Sequence, residues 1–466
     1  MMTARAVVAA LAASAVPVGI RADVCTCCKV ETSAYAQTWN ARFNAEIDAR
    51  IEKFRKADAT IGGFAPGTSV RVEQLAHAFK FGAHIFNFDQ LGRDDWNARY
   101  KAVYTNLFNS ATVAFYWKDY EPEEGHVRFA DGPCDGAAFW NAHANLTSEE
   151  KANLTPVWRR PAPDAVVAFC RANGISVHGH TLVYGAVMPS WATNLPPERL
   201  TAAIDRRIRM LAERYGDAVS QWDVVNEAVH VRQPTDFGTW GPVRFPADYT
   251  LDSFVSARRH FPAGARLAIN EAGVIRKPYV SFVRDLIRRG APIDIVGVQM
   301  HIFSREAVQQ IARGEMCQPN LTDWTPEDQV AAFTMLDSLH RPLHVSEVTI
   351  PASDDSPEGR ALQARLARDN YRLWFSWPSV ERITWWNLVD YTYHKESLPS
   401  GIFTKDMEPK PVYFALDRLI NHEWKTRLTA TADAHGVVAF RGFRGRYRLT
   451  WRDAEDKVRT RLMEVE

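Results

Sequence analysis

From Phe79 onward, short apolar runs alternate with amphipathic stretches. The runs at 79–88 (FKFGAHIFNF), 110–117 (SATVAFYW), 175–184 (ISVHGHTLVY) and 220–227 (SQWDVVNE) read as strands, as do 265–272 (ARLAINEA), 293–301 (IDIVGVQMH), 342–350 (PLHVSEVTI) and 383–390 (ITWWNLVD). Helical patterns lie between most of them. The stretch 197–216 has apolar residues near helical spacing with Arg on the other face, and 279–290 and 357–375 read the same way. Strands alternating with helices predict an α/β fold with a parallel sheet, and eight strands close a (β/α)8 TIM barrel, here over 79–421. An open doubly wound sheet is the competing arrangement, but its Gly-rich phosphate loop after the first strand is missing.

The flanks carry other patterns. Residues 23–78 form an N-terminal extension expected to pack on the barrel. In it, 40–61 reads as a helix leading into the turn Ala65-Pro66-Gly67, and 70–79 alternates like a strand. After Asn421 four short alternating runs, 426–433, 436–445, 446–453 and 457–465, predict a small antiparallel β meander at 422–466 that braces the barrel or binds sugar. At the other end, Arg5 followed by the apolar run Ala6 to Ile20 and a cleavage site at Ala22 reads as a signal peptide over 1–22, which implies a secreted or periplasmic protein. That run is too short for a membrane span.

Composition narrows the class. Apolar residues make up 46% of 466, enough for a large core. Lys and Arg number 56 against 55 Asp and Glu, so no basic excess points to nucleic acid or an anionic membrane. Fifteen Trp, 14 Tyr and 24 Phe supply flat rings suited to sugar faces, though such rings also fill cores. Six cysteines, Cys25, Cys27, Cys28, Cys134, Cys170 and Cys317, leave pairing open; the CTCC cluster has no flanking His or second CxxC to make a zinc site. NLT at Asn145, Asn153 and Asn320 fits the glycan acceptor pattern.

In such a barrel the chemistry sits at the C-terminal ends of the strands. There the fourth run offers Asn226 and Glu227, the seventh Glu347, the sixth Gln299 and His301, the third His178 and His180, and the eighth Trp386 and Asp390. Two carboxylates facing each other across the mouth are what glycosidic cleavage needs: one protonates the leaving oxygen, the other meets the oxocarbenium-like centre. A separation of about 5–5.5 Å gives retention and about 6.5–9.5 Å inversion. Repulsion should raise the pKa of one carboxyl while hydrogen bonds keep the other ionised. His178-x-His180 also has the spacing of a metal pair, but the carboxylate pair needs no ion, and no cofactor is implied.

These segments resemble glycoside hydrolase family 10, the retaining endo-β-1,4-xylanases. WDVVNEAV resembles the family's acid/base strand and HVSEVTI its nucleophile strand; GHTLVYGAVMPSW, IDIVGVQMHI, ITWWNLVD and GIFTKDMEPKPVYFAL resemble four further motifs in the right order. The resemblance makes Glu227 the proton donor and Glu347 the nucleophile. It implies that His301 hydrogen-bonds Glu347 and keeps it ionised, that Asn226 binds the sugar 2-hydroxyl, that His180 and Gln299 line the same subsite, and that Trp386 floors it. Asn270 matches the Asn of the family's N-D-Y motif.

The departures lie in the sugar-gripping shell. Where the family carries E-N-x-x-K-W after F-N-S-x-T, this chain reads FNSATVAFYWKDYEPEEG at 108–125, without the Glu and Asn, and Lys118 is the candidate for the family Lys. Tyr184 stands for a Trp, Gly185 for a His, Val187 for a Gln, Ala272 for a Tyr and His394 for a Trp. The resulting expectation is a secreted monomeric hydrolase that cleaves internal β-1,4 bonds of xylan or a decorated xylan by double displacement. The alternatives are the same chemistry on another plant β-glycan, or a non-catalytic carbohydrate-binding protein.

Overall fold

Eight parallel strands form a closed barrel in the computed structural model, which describes residues 33–91, 93–130, 160–229, 243–273, 278–315, 324–391 and 398–466. The signal stretch 1–22, Cys25, Cys27, Cys28, Cys134 and Cys317, the three NLT sequences and His394 lie outside the described residues. Cys170 is a buried free thiol. Among the described residues no helix is long and apolar enough to cross a membrane.

In chain order the strands are β1 (Lys56–Gly62), β2 (Ser69–His77), β3 (Lys80–His84), β4 (Ser110–Ala114), β5 (Ser176–Val183), β6 (Gln221–Asn226) and β7 (Arg266–Ala272). They continue as β8 (Ile295–His301), β9 (Leu343–Thr349), β10 (Val380–Trp385), β11 (Arg427–Thr431), β12 (Val437–Phe443), β13 (Gly445–Arg452) and β14 (Val458–Val465). The barrel runs β3 to β10 in sequence order and closes through the β10–β3 pair. All eight expected barrel strands are therefore present. The eighth is shifted: it begins at Val380 and ends at Trp385, so Trp386 and Asp390 fall in the segment beyond it. That placement moves the Trp386 ring off the sheet and over the mouth.

The helix Pro197–Tyr215 shows how the sequence sets the packing. Pro197 occupies its first turn, where a missing N–H costs nothing. Leu200, Ala203, Ile204, Ile208, Leu211 and Ala212 form the buried stripe. One Arg departs from the expected outer face. Arg207 is 1% exposed and donates to the carbonyls of Leu182 (2.9 Å), Thr181 (3.3 Å) and Phe115. Burying a guanidinium is tolerated because those carbonyls, at the ends of β4 and β5, are otherwise awkward to satisfy. The helix between β9 and β10, Pro357–Ser376, is buried along most of its length because the helices Ala41–Arg55 and Pro411–Asp417 both pack against it. Arg372 on Pro357–Ser376 bonds Asn44 and Asp48 on Ala41–Arg55, and Arg55 reaches the carbonyl of Val380 at the start of β10 (2.8 Å).

The flanking segments are interleaved. The predicted helix 40–61 stops at Arg55, and Lys56–Gly62 is instead strand β1. The four C-terminal strands stand where expected, but they do not pair in simple succession. β12 pairs with β1, while β2 sits between β11 and β13 in the sheet β11-β2-β13-β14. Val70 and Val72 of β2 need a cover, and Tyr447, Leu449 and Val438 supply it in a small core of their own. The N-terminal extension thus closes against the C-terminal strands rather than lying on the barrel alone.

Candidate active site

Glu227 and Glu347 project into one buried pocket at the C-terminal mouth of the barrel. Glu227 follows the last residue of β6 and is 9% exposed; Glu347 is on β9 and is 4% exposed. Their carboxylates are joined by a hydrogen-bonded chain of amides. Asn270 Nδ2, on β7, donates to Glu347 Oε1 (2.7 Å) and to Asn226 Oδ1 (2.8 Å). Gln299 Nε2, on β8, donates to Asn226 Oδ1 (3.2 Å) and to Glu227 Oε1 (3.1 Å). Tyr184 OH, in the segment after β5, donates to Glu227 Oε2 (3.0 Å).

Local backbone irregularities aim these groups. The β8–β9 register shifts between Val298 and Gln299, so that Val298 faces Val345 while Gln299 faces Glu347. The extra residue is Ser346, whose hydroxyl donates to Asn270 Oδ1 (2.6 Å). A bulge of this kind redirects neighbouring side chains. Glu227 itself has φ 55°, in the left-handed region where a residue with a Cβ is strained. Its loop is tied back by Glu271 of β7, which accepts the Val229 N–H (2.9 Å). Gly297 is required for space: a Cβ there would lie 2.4 Å from Asn270 Oδ1.

Two histidines flank Glu347. His301 Nε2 lies 3.0 Å from Glu347 Oε2, and its Nδ1 lies 2.8 Å from Thr349 Oγ1. His180 Nε2 lies 4.0 Å from Glu347 Oε1. His178 and His180, two residues apart on β5, clamp the same carboxylate: His178 Nε2 is 2.9 Å from Asp223 Oδ1 and His180 Nδ1 is 2.8 Å from Asp223 Oδ2. Burial alone would raise the Asp223 carboxyl, but these two rings hold it well below the usual carboxylate range. Burial would lower His180, but its bond to Asp223 and the charge of Glu347 outweigh that and raise it. The Trp386 ring packs edge-on against His84 (4.7 Å between centroids), His180 (5.3 Å) and His301 (5.9 Å).

The protonation of Glu347 differs from expectation. Burial pushes its carboxyl up to about 8; the charges of Glu227 and Asp223 push the same way, against His180 and the bond from Asn270. Desolvation of so enclosed a carboxylate outweighs its hydrogen bonds, so His301 does not by itself keep it ionised near neutrality.

The structure thus gathers Glu227, Glu347, Asn226, Asn270, Gln299, His180, His301, Tyr184 and Trp386 in one pocket. It does not gather Lys118, whose side chain is exposed on the short helix Trp117–Tyr120. The next turn of chain is engaged elsewhere, Glu121 accepting from Trp117 Nε1 (2.6 Å) and the Gly125 N–H (2.9 Å). Asp390 is a brace, paired with the buried Lys410 (2.9 Å). Sequence reasoning missed Asp223, Glu271, Ser346 and Thr349. Asp223 had a signal, an acid inside an apolar strand two residues from Val225; the other three needed the strand pairing to be known.

The comparisons with known proteins bear on the family and the fold. The model of Glycosyl hydrolase family 10 matches residues 73–418. Among curated relatives, the Anti-sigma-I factor RsgI6 of Acetivibrio thermocellus is 26% identical over 383 residues, covering 81% of this chain and 46% of its own length. Endo-1,4-beta-xylanase B of Cellvibrio japonicus is 28% identical over 294 residues, covering 62% of this chain and 43% of its own. The chain therefore spans less than half the length of either relative. Native xylanase 10B from Thermotoga maritima superposes with a TM-score of 0.56 at 20% identity, over 74% of this chain and 96% of that one. The GH10 structure from Paenibacillus barcinonensis gives 0.54 at 23%, over 73% and 94%. Both show the fold. With a family model that starts within β2 and runs through the whole barrel to Arg418, the chain belongs to glycosyl hydrolase family 10.

Proposed function

We propose that the protein is a retaining β-glycoside hydrolase that cleaves internal β-1,4 bonds of xylan or a decorated relative. The observation that supports this most is the single pocket holding Glu227 and Glu347, linked through Asn226, Asn270 and Gln299. In the first step Glu227 gives its proton to the glycosidic oxygen as that bond breaks, and a Glu347 oxygen bonds to the anomeric carbon. In the second, Glu227 takes a proton from water, which attacks the same carbon and releases Glu347.

Catalysis needs the anion on Glu347, whose carboxyl burial pushes up to about 8 in the free protein. In the productive form the proton is on Glu227. His180 and the Asn270 amide both favour the anion on Glu347, and positive charge growing on the sugar strengthens that preference. As the resemblance to the family implies, Asn226 donates to the 2-hydroxyl, His180 and Gln299 line the same subsite and Trp386 forms its floor. Tyr184 holds Glu227 in orientation.

A panel of polysaccharides assayed for released reducing ends tests the reading. Release from xylan that vanishes in Glu227→Gln and Glu347→Gln supports it; release unchanged in either variant contradicts it. The lost Glu and Asn of the sugar grip favour another β-glycan as second substrate, which the same panel detects. The altered sugar-gripping shell supports a third reading, a carbohydrate-binding protein without turnover, for which oligosaccharide binding with no release would be the sign. Export is part of the proposal, checked by whether the mature chain begins after Ala22.

A further inference from the structure

The side of the mouth next to β3 and β4 has exchanged hydroxyl-gripping groups for rings and one cation. The residues after β4 are Phe115, packed on Tyr215 (5.1 Å between centroids) and Trp222 (4.8 Å), and Tyr116. Phe86, after β3, joins Tyr116, Ala114, Val187 and Trp386 in a cluster separate from the main core. Arg160 lies on this cluster, in the segment between β4 and the helix Pro163–Ala172 and hence at the catalytic end of the barrel. Its guanidinium carbon is 4.2 Å from the centre of the Phe86 ring and 5.6 Å from that of Tyr116. Tyr116 in turn lies 5.7 Å from His180, which faces Glu347. Arg160 is thus one ring removed from the reacting pocket.

Arg160 Nε is buried with no hydrogen-bond partner among the described residues, and no ion pair of Arg160 occurs among them. Arg206 and Arg214, by contrast, are paired, with Glu121 and Glu124 and with Asp164. His84, the last residue of β3, is fully buried against Phe86 and Trp386, and both its ring nitrogens lack a partner. It adds no anion, and among the described residues neither of its ring nitrogens accepts from Arg160. A guanidinium clamped on two rings and short of an acceptor is preorganised to take a carboxylate in two parallel bonds. Neutral sugar hydroxyls use that fork poorly.

We propose that Arg160 binds the carboxylate of a uronic acid carried by the glycan, which makes an acidic, uronate-decorated β-glycan the preferred substrate class. The assignment rests on the hydrolase reading and narrows it. Tyr116 and Phe86 set the plane of the guanidinium, and Trp386 joins this wall to the floor of the cleavage subsite.

The test compares neutral β-1,4-xylo-oligosaccharides with isomers of the same length bearing one uronic acid at each position in turn. At least one acidic isomer should exceed the neutral chain in kcat/KM by about 10-fold or more, the strength of a charge-assisted pair. That advantage should fall as salt is raised to about 0.5 M. It should shrink about 10-fold in Arg160→Gln and return in part in Arg160→Lys, which keeps the charge but not the fork. An acidic-to-neutral ratio equal in wild type and Arg160→Gln, or no preferred isomer, overturns the proposal. Binding of the same ligands to Glu347→Gln separates it from the hydrolase reading. Preference in binding without hydrolysis by the wild type leaves the Arg160 site standing and removes the hydrolase. Hydrolysis of neutral chains with no acidic preference does the reverse.

Discussion

Replacing Glu347 with Gln should make the folded protein more stable as pH rises, even as it stops turnover. Burial lifts the folded-state carboxyl from its ordinary value of 4.5 to about 8. Between those values the folded chain holds a proton that the unfolded chain has released, so wild-type stability falls as pH increases. Each pH unit in that window removes about 1.4 kcal/mol, and the whole window is on the order of 4–5 kcal/mol. Gln cannot ionise, so the variant escapes this loss. It pays a cost that does not vary with pH: Glu347 accepts from Asn270 on one oxygen and meets His301 on the other, and an amide satisfies only one of them. That cost is about 1–2 kcal/mol. The variant also removes one of the causes that raise His180, while the bond to Asp223, which ranks ahead of it, remains. Thermal melts of both proteins from about pH 5 to about pH 9 read the difference. The variant's melting temperature should gain on the wild type by roughly 1 °C per kcal/mol for a chain of this length, close to 5 °C across the window. The gap should then stay level above about pH 8. A gap that is constant across the window would show that Glu347 ionises normally and that its burial is not felt.

Other outcomes follow from the same geometry. Removing the charge of Glu227 should lower the pKa of Glu347, so in Glu227→Gln the acid limb for cleavage of an aryl glycoside, whose leaving group needs no proton, should move to lower pH; an unmoved limb means the two carboxylates do not interact. Azide should rescue Glu347→Gly with inversion of the anomeric centre and Glu227→Ala with retention, read by NMR of the glycosyl azide, and the same stereochemistry from both would break the division of roles. Gly297→Ala forces Asn270 off Glu347 and should cut kcat by about 10-fold or more with little change in KM; unaltered kcat would mean that Asn270 does not position the nucleophile. Thr349→Val removes the partner of His301 Nδ1 and should cost activity by about 10-fold, with Thr349→Ser restoring most of it.

The barrel could be read from the chain because its strands are short apolar runs separated by helical patterns, and the carboxylates could be read because they close two of those runs. The sheet formed with the ends of the chain could not. Lys56–Gly62 continues a helical pattern and becomes a strand only because β12 offers it a partner nearly 400 residues away. Arg207 looked like an outer-face residue because charge pattern alone does not reveal carbonyls left over at the ends of β4 and β5. In the site, residues whose role is their own chemistry, such as Glu227, Glu347 and His301, were legible. Residues whose role is to hold another group, such as Asp223 between two histidines and Ser346 in a bulge, depend on which strands lie side by side. Lys118 shows the converse error: the letter matched a motif, but a shorter segment turned it outward.

The most direct measurement is covalent trapping. An activated 2-deoxy-2-fluoro β-xylobioside, in which the fluorine slows hydrolysis of the glycosyl-enzyme, is incubated with the protein and the digest is read by mass spectrometry. A single added disaccharide on the peptide carrying Glu347, absent in Glu347→Gln and formed in Glu227→Ala, is the expected result. No adduct on an enzyme that still cleaves the parent chain, or an adduct on Glu227 instead, would contradict the assignment of these two carboxylates.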